Sequence, residues 1–170
     1  LERMLTVCGN DQRGLRDQAL LLTAYDSMCR RSELVAVTVS DIQYDLHHNA
    51  MLHIRRSKTD QLGTGQRVPL TTRAVGAIDR WLESAEITDG DIFRGLNNKG
   101  ELLDGINGGQ INRIYKRLAK RAGLNDEEVL GIRGHSFRVG AAQDLAAAGA
   151  TIPQLLTKGR WSKIDTMYRY

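Results

Sequence analysis

Cysteine, aromatic residues and long apolar runs are all scarce in this chain of 170 residues. Its two cysteines, Cys8 and Cys29, form no CxxC pair, so the sequence supports neither a zinc site nor a disulfide framework and indicates a reducing, intracellular setting. The apolar runs are far shorter than the roughly 20 residues that a membrane span needs. Aromatic residues make up 5% of the chain, so aliphatic side chains must fill most of the core.

Three common catalytic motifs are also absent. The sequence contains no GxxxxGK(S/T) nucleotide loop, no HExxH zinc motif and no GxSxG nucleophile elbow. His47 and His48 lie side by side in a predicted turn, and we interpret them as surface histidines rather than metal ligands. The sequence therefore predicts neither a metal nor a cofactor.

The whole chain has a net charge of +4, and its basic residues are concentrated in the last third. Residues 111–170 contain 11 Lys and Arg against 5 Asp and Glu, whereas residues 1–110 contain 13 against 15. A polyanionic partner such as nucleic acid would explain this distribution, and a solvated basic face is the alternative. Composition alone favours the solvated face.

Hydrophobic periodicity and turn residues predict one mainly α-helical domain with a small antiparallel β-sheet, an α+β fold that spans residues 1–170. Helices are predicted over 13–29, 32–37, 72–84, 110–122, 135–148 and 152–159, and a last one begins at Ser162. Short strands are predicted at 41–44, 51–55 and 67–70. Residues 85–109, rich in Gly, Asn and Asp, are predicted to form a long loop, and such loops are usually functional or contain a short element of their own.

The string GHSFRVG at 134–140 is the first that indicates chemistry. His135 and Arg138 are three residues apart, so they project from one face at the start of a predicted helix. Two cationic side chains are costly to bury together, and an anion between them would remove that cost. A polar helix start that faces water is the alternative.

Six residues that are spread along the chain occur in the order of a known catalytic pattern: Arg30, Lys58, His135, Arg138, Trp161 and Tyr170. With them the sequence resembles the tyrosine recombinase and phage integrase family over nearly its whole length. The family pattern is an arginine in Arg-x-x-Glu-Leu, a hairpin lysine, a His-x-x-Arg box, a His or Trp, and a tyrosine nine residues later. Glu33 matches the acidic residue of the first box, and the tryptophan resembles most the Cre-like branch.

The chain departs from the family pattern at three points. Met28 lies two residues before the first arginine, where the family often has a small residue. Arg31, next to Arg30, is a second candidate for the first catalytic arginine. The tyrosine is the last residue of the chain. Tyr168 is a second candidate for the nucleophile, but the spacing of nine residues favours Tyr170.

The resemblance implies cleavage and rejoining of DNA strands through a 3′-phosphotyrosyl intermediate. Tyr170 would be the nucleophile, and Arg30 and Arg138 would bind the non-bridging oxygens of the phosphate. Lys58 would protonate the departing 5′-oxygen. His135 would either assist proton transfer or donate a hydrogen bond to the phosphate. Trp161 would donate one hydrogen bond and form a wall of the site.

Further basic residues are expected to contact DNA, in the hairpin loop, beside Arg30 and along the helix at 110–122: Arg31, Arg56, Arg113, Lys116, Arg117 and Lys120. A plain solvated face is the alternative for this helix. The implied partner is double-stranded DNA, bound by a homotetramer in the full-length protein and by a monomer of this chain, in the cytoplasm at the nucleoid.

Two parts of the family pattern are expected to be absent from this chain, the N-terminal DNA-binding domain and the helix that follows the tyrosine. The sequence is therefore expected to be an isolated catalytic domain that binds DNA weakly. Two alternative functions remain, a type IB topoisomerase and a non-catalytic DNA-binding module.

Overall fold

The fold combines helices with one three-stranded antiparallel sheet in the part of the chain that the computed structural model describes, residues 1–47, 49–55 and 65–167. The strands are β1 (Ile42–Tyr44), β2 (Ala50–Ile54) and β3 (Gln66–Pro69), and a 3-10 turn at Val39–Asp41 precedes them. The helices are α1 (Glu2–Leu5), α2 (Gln12–Ser27), α3 (Arg31–Val35), α4 (Thr72–Ser84), α5 (Gly108–Arg121), α6 (Asp126–Gly131), α7 (Ser136–Ala147), α8 (Ile152–Gly159) and α9 (Ile164–Met167). The predicted α+β fold with a small antiparallel sheet is confirmed.

The sheet has the strand order β1-β2-β3 and one buried face. Leu52 of β2 pairs with Ile42 of β1 and with Val68 of β3, and both Leu52 and Val68 are buried. Successive side chains of a strand point to opposite faces, so this register turns the apolar residues of β2 and β3 to the same side. The predicted hairpin residues Arg56 and Lys58 lie outside the described residues.

The core is mainly aliphatic, as the scarcity of aromatic residues predicts. Its centre is the contact between α2 and α4, which contribute Leu20, Leu21, Ile78 and Trp81, all of them almost inaccessible to solvent. The indole N–H of Trp81 donates to the backbone carbonyl of Ile92 at 2.7 Å, which ties the loop after α4 to this core. A buried polar group with a partner avoids the cost of desolvation.

The structure corrects several predicted element boundaries. Helix α2 ends at Ser27, because Met28 adopts a left-handed conformation with φ 49°. Helix α5 begins two residues earlier than predicted, since the Asn107 side chain accepts from the backbone N–H of Gln110 and caps it. Helices α1 and α6 were not predicted, and the last helix begins at Ile164. The predicted loop is confirmed, with one β-bridge inside it, between Leu96 and Leu102, and a second that joins Asp91 to Thr38.

Candidate active site

An open cavity of about 500 Å³, which we call the arginine cavity, brings together four of the residues that the sequence predicts to be catalytic: Arg30, His135, Arg138 and Trp161. Four arginines contribute to its wall, and no Asp or Glu is among the residues that line it in the described part of the chain. The remaining lining residues are Arg31, Ser32, Asn112, Arg133 and Gly134. Such a wall favours an anion, because its four guanidinium groups give this part of the surface a positive charge.

Arg30 is the N-cap residue of α3, and Glu33 accepts hydrogen bonds from both its backbone and its side chain. The backbone N–H of Arg30 donates to Oε2 of Glu33 at 2.8 Å, and Nη1 donates to Oε1 at 2.8 Å. Glu33 is the third residue of the helix, so this contact closes the first turn like a capping box. The Arg-x-x-Glu spacing thus positions the guanidinium as well as starting the helix.

Arg138 lies in the first turn of α7 and is buried, with 3% of its surface exposed. Its Nη1 donates to the carbonyl of Met28 at 2.9 Å, and its Nη2 donates to the carbonyl of Gly159. The guanidinium carbon is 4.8 Å from the centroid of the Trp161 ring, a favourable cation–π distance. The ends of α2 and α8 therefore fix the orientation of this arginine.

Close packing at two glycines shapes the cavity wall. A Cβ atom at Gly159 would lie 2.2 Å from Cζ3 of Trp161, so only glycine allows the indole to lie over this turn. A Cβ atom at Gly134 would lie 2.7 Å from Cδ of Arg31, whose side chain crosses that glycine. Arg31 is therefore part of the cavity wall, beside Arg30 rather than remote from it.

His135 caps the start of α7 and is exposed on the cavity surface. It is held there by the turn that precedes the helix, in which the backbone N–H of Arg133 donates to Oγ of Ser136 at 2.8 Å. The predicted proximity of His135 and Arg138 is confirmed as a geometric fact, since both line the same cavity. Their chemical roles stay predictions.

Sequence reasoning missed Arg160, which is buried directly behind the cavity wall. Its Nη2 donates to Oε2 of Glu33 at 2.6 Å and to the carbonyl of Met28 at 3.2 Å, and its Nη1 donates to the carbonyl of Ser27 at 2.8 Å. Burial disfavours the ionised carboxylate, but Arg160 and Arg30 outweigh it and hold the pKa of Glu33 below its usual range. No local pattern could have indicated a contact between residues so far apart in the sequence.

The predicted DNA-contacting face of α5 is divided between two surroundings. Arg113 and Lys120 are exposed, and Lys116 is half-buried. Arg117 forms a salt bridge to the buried carboxylate of Asp17 on α2, so its charge already has a partner within the fold. The DNA contacts of all four residues remain predictions.

A second cavity, of about 290 Å³, lies between α2, α5 and the long loop. Arg113 and Arg117 line it together with Arg13 and Arg16. Arg16 lies against Asp17, with its Nη2 donating to Oδ1 at 2.7 Å. Arg113 and Arg117 of α5 thus line a cavity separate from the one that holds Arg30.

Several predicted residues lie outside the described residues: His48, Arg56, Lys58, Tyr168 and Tyr170. The predicted general acid and nucleophile are among them and stay predictions. Within the described ranges no three His, Cys, Asp or Glu side chains are grouped so as to hold a metal ion. No helix of those ranges is long and apolar enough to cross a membrane.

The phage integrase family model matches residues 1–170, the full length of the chain. The chain belongs to the phage integrase family. Among curated relatives, this integrase-family chain is 27% identical to recombinase Cre of Escherichia phage P1, over 92% of its own length and 49% of that protein. It is 30% identical to an integrase/recombinase XerD homolog of Selenomonas ruminantium, over 92% of its length and 47% of that protein. The chain thus spans about half the length of these relatives.

Solved structures of recombinases share the fold. The XerA recombinase superposes with a TM-score of 0.73 at 20% identity, covering 98% of this chain and 56% of that one. XerH bound to difH substrate, in a pre-cleavage complex, superposes with a TM-score of 0.75 at 16% identity, covering 99% and 47%. The resemblance found in the sequence is confirmed, and these neighbours establish the fold.

Proposed function

We propose that this chain cuts and rejoins DNA strands as the catalytic part of a site-specific recombinase. The observation that carries the proposal is the single cavity in which the His135–Arg138 pair meets Arg30 and Trp161 from distant parts of the sequence. The names of its relatives support it, since Cre and the XerD homolog are recombinases. The proposed partner is double-stranded DNA, and the structural neighbour XerH was solved bound to its difH substrate.

The cavity is suited to a phosphodiester because arginine binds phosphate through two parallel N–H donors. Arg30 and Arg138 would each donate to non-bridging oxygens of the scissile phosphate. A positioned donor of this kind lowers the barrier by about 3 kcal/mol, because it acts where negative charge develops. Positive charge from the arginines serves the purpose that a metal ion serves in other phosphoryl-transfer sites.

The proposed reaction is a transfer of the phosphoryl group from sugar to protein and back. The phenol oxygen of Tyr170 forms a bond to phosphorus, and the bond from phosphorus to the 5′-oxygen breaks. Lys58 gives a proton to that 5′-oxygen, and the phenol proton leaves to a base or to water. A tyrosine with a pKa near 10 is only about 0.1% ionised at pH 7, so the arginine cavity must stabilise the attacking oxygen as well.

Rejoining reverses these steps with a 5′-hydroxyl as the attacking group. The phosphotyrosyl ester conserves the free energy of the phosphodiester bond that was broken, so the reaction requires no ATP. The proposal extends to the whole protein as a tetramer on DNA at the nucleoid, with this chain monomeric in isolation. The contacts of Arg31, Arg56, Arg113, Lys116, Arg117 and Lys120 with the DNA backbone belong to the same proposal.

A nicked suicide DNA substrate tests the reaction. The chain is mixed with labelled DNA in EDTA, and covalent complexes are separated in SDS gels. We expect an SDS-resistant band that disappears in Tyr170→Phe and persists in Tyr168→Phe. Absence of the band in the wild-type chain, or its persistence in Tyr170→Phe, would refute the proposal.

Supercoiled plasmid without a recombination site provides the control for substrate choice. A recombinase is expected to leave this plasmid supercoiled, whereas sequence-independent relaxation would assign the chain to the topoisomerase alternative. Gel shifts of the chain alone are expected to show weak, salt-sensitive binding, since most of its DNA affinity is electrostatic.

A further inference from the structure

Two residues with strained backbones meet behind the arginine cavity. Met28 and Arg160 both adopt left-handed conformations, with φ 49° and 53°. Among the described residues that are not glycine, Glu86 is the third with a positive φ, and it lies on an exposed turn after α4. Such conformations persist only where the surroundings impose them, and they cluster at functional sites.

Arg160 is the C-cap residue of α8, and its side chain reaches back to two other segments. Its guanidinium reaches Oε2 of Glu33 at 2.6 Å and the carbonyls of Ser27 and Met28 at 2.8 and 3.2 Å. Arg160 and Glu33 are 7% and 6% exposed, so this salt bridge is almost fully desolvated. The guanidinium therefore joins the end of α8 to the end of α2 and the start of α3.

Each of the two predicted phosphate-binding arginines shares one partner with Arg160. Glu33 accepts from Nη1 of Arg30 and from Nη2 of Arg160. The carbonyl of Met28 accepts from Nη1 of Arg138 and from Nη2 of Arg160. One buried side chain therefore contacts a partner of Arg30 and a partner of Arg138.

We propose that Arg160 is a positioning residue that sets the distance and orientation of Arg30 relative to Arg138. The proposal rests on the proposed function, because it assigns these two guanidiniums to one phosphate. Arginine is required at this position because its planar fork bonds to a carboxylate and to backbone carbonyls at once, which a lysine ammonium on a flexible stem does less well. Removing it leaves Glu33 with Arg30 as its remaining charged neighbour.

Single-turnover cleavage of suicide DNA, measured against DNA concentration, tests the proposal in three variants. Arg160→Gly removes the guanidinium and at the same time relieves the left-handed backbone. Arg160→Lys retains the charge. Glu86→Gly is the matched control, since it relieves the same strain at a site remote from the cavity.

We expect Arg160→Gly to lower the saturated cleavage rate by about 10- to 100-fold, because small displacements of positioning groups have effects of this size. The half-saturating DNA concentration should change less than about threefold, since Arg160 is not expected to touch DNA. Arg160→Lys should recover a measurable part of the rate, and Glu86→Gly should cleave like the wild-type chain.

A purely structural role predicts different results. A rate loss that follows the unfolded fraction, as measured by circular dichroism, and vanishes under conditions where the variant is fully folded would overturn the proposal. If Arg160→Gly does not fold, Arg160→Lys carries the same comparison. A folded variant at position 160 with the wild-type rate would also refute it.

A spectroscopic measurement separates this proposal from the proposed function. In ¹⁵N-labelled chain, the Nε–Hε signal of Arg30 should shift or broaden in Arg160→Gly and stay unchanged in Glu86→Gly. If the wild-type chain forms no covalent adduct, the proposed function fails, but this signal still decides whether Arg160 positions Arg30. An unchanged Arg30 signal would refute the positioning role even if cleavage occurs.

Discussion

Two buried carboxylates in this molecule each lie between two arginines, yet their surroundings shift the pKa of the two carboxyl groups in opposite directions. The Glu33 cluster consists of Arg30, Glu33 and Arg160, and the Asp17 cluster consists of Arg16, Asp17 and Arg117. Burial raises the pKa of Asp17 in spite of its arginines, whereas the arginines outweigh burial and lower the pKa of Glu33. Glu33 also accepts a backbone N–H at the start of α3. Similar composition therefore stabilises an ionised carboxylate in one place, behind the arginine cavity, and not in the other.

The largest difference is expected in cleavage. Arg30→Lys should lower the saturated rate on suicide DNA by about 10²–10³-fold, because it removes a forked donor from the phosphate. The matched change Arg16→Lys, in the Asp17 cluster, should leave that rate within about threefold. Equal losses in the two variants would contradict the separation of the clusters.

Stability should show the next largest difference. Glu33→Gln leaves Arg160 buried without its charge partner, so we expect the free energy of unfolding to fall by about 3–5 kcal/mol. Asp17→Asn should cost less than half as much, since the raised pKa means that the fold already disfavours the ionised form of Asp17. Urea denaturation at pH 7 measures both. A larger loss in Asp17→Asn would reverse the ranking.

The pH dependence of stability should have opposite signs at the two carboxylates. Glu33 has a lowered pKa in the folded state, so its contribution is present above the unfolded pKa of about 4.3 and is lost as pH falls through the folded value. Asp17 has a raised pKa, so its ionisation costs stability at neutral pH and this cost disappears on acidification. As pH falls, the stability of the wild-type chain should decrease relative to Glu33→Gln and increase relative to Asp17→Asn in urea titrations.

The smallest effect is expected where a pair of the same chemical type lies in solvent. Arg73 and Glu2 form a salt bridge at 2.7 Å with more than half of each side chain exposed. Glu2→Gln should lower the free energy of unfolding by about 0.5 kcal/mol or less, and high salt should remove the difference. A loss comparable to that of Glu33→Gln would show that burial does not govern these pairs.

Local spacing was enough to predict the parts of the site that depend on one helix start. The interval of three between Arg30 and Glu33 places Arg30 at the N-cap and Glu33 in the first turn of α3, and the same interval places His135 at the N-cap and Arg138 in the first turn of α7. In each case three residues along a helix bring side chains to one side. The sheet was predictable for a similar reason, because alternation of apolar residues in β2 marks its buried face.

Contacts between distant segments could not be predicted in this way. The salt bridge from Arg160 to Glu33 joins residues 127 positions apart, and nothing near either residue indicates the other. Helix α6 is a different kind of omission, because Asn125 and Glu128 form a capping box that the sequence displays. The pKa of Asp17 depends on how deeply α2 and α5 bury it, which is a property of packing.

The bonds that hold Arg138 have an evolutionary consequence. The two carbonyls that it contacts in the described part of the chain, those of Met28 and Gly159, belong to the main chain, and a side-chain substitution does not delete a main-chain oxygen. These two carbonyls orient the guanidinium and have no formal charge of their own. The hydrogen bond from Arg138 to the carbonyl of Met28 is therefore insensitive to substitutions at position 28 as long as the left-handed turn survives, whereas the hydrogen bond from Arg30 to Glu33 requires that acidic side chain.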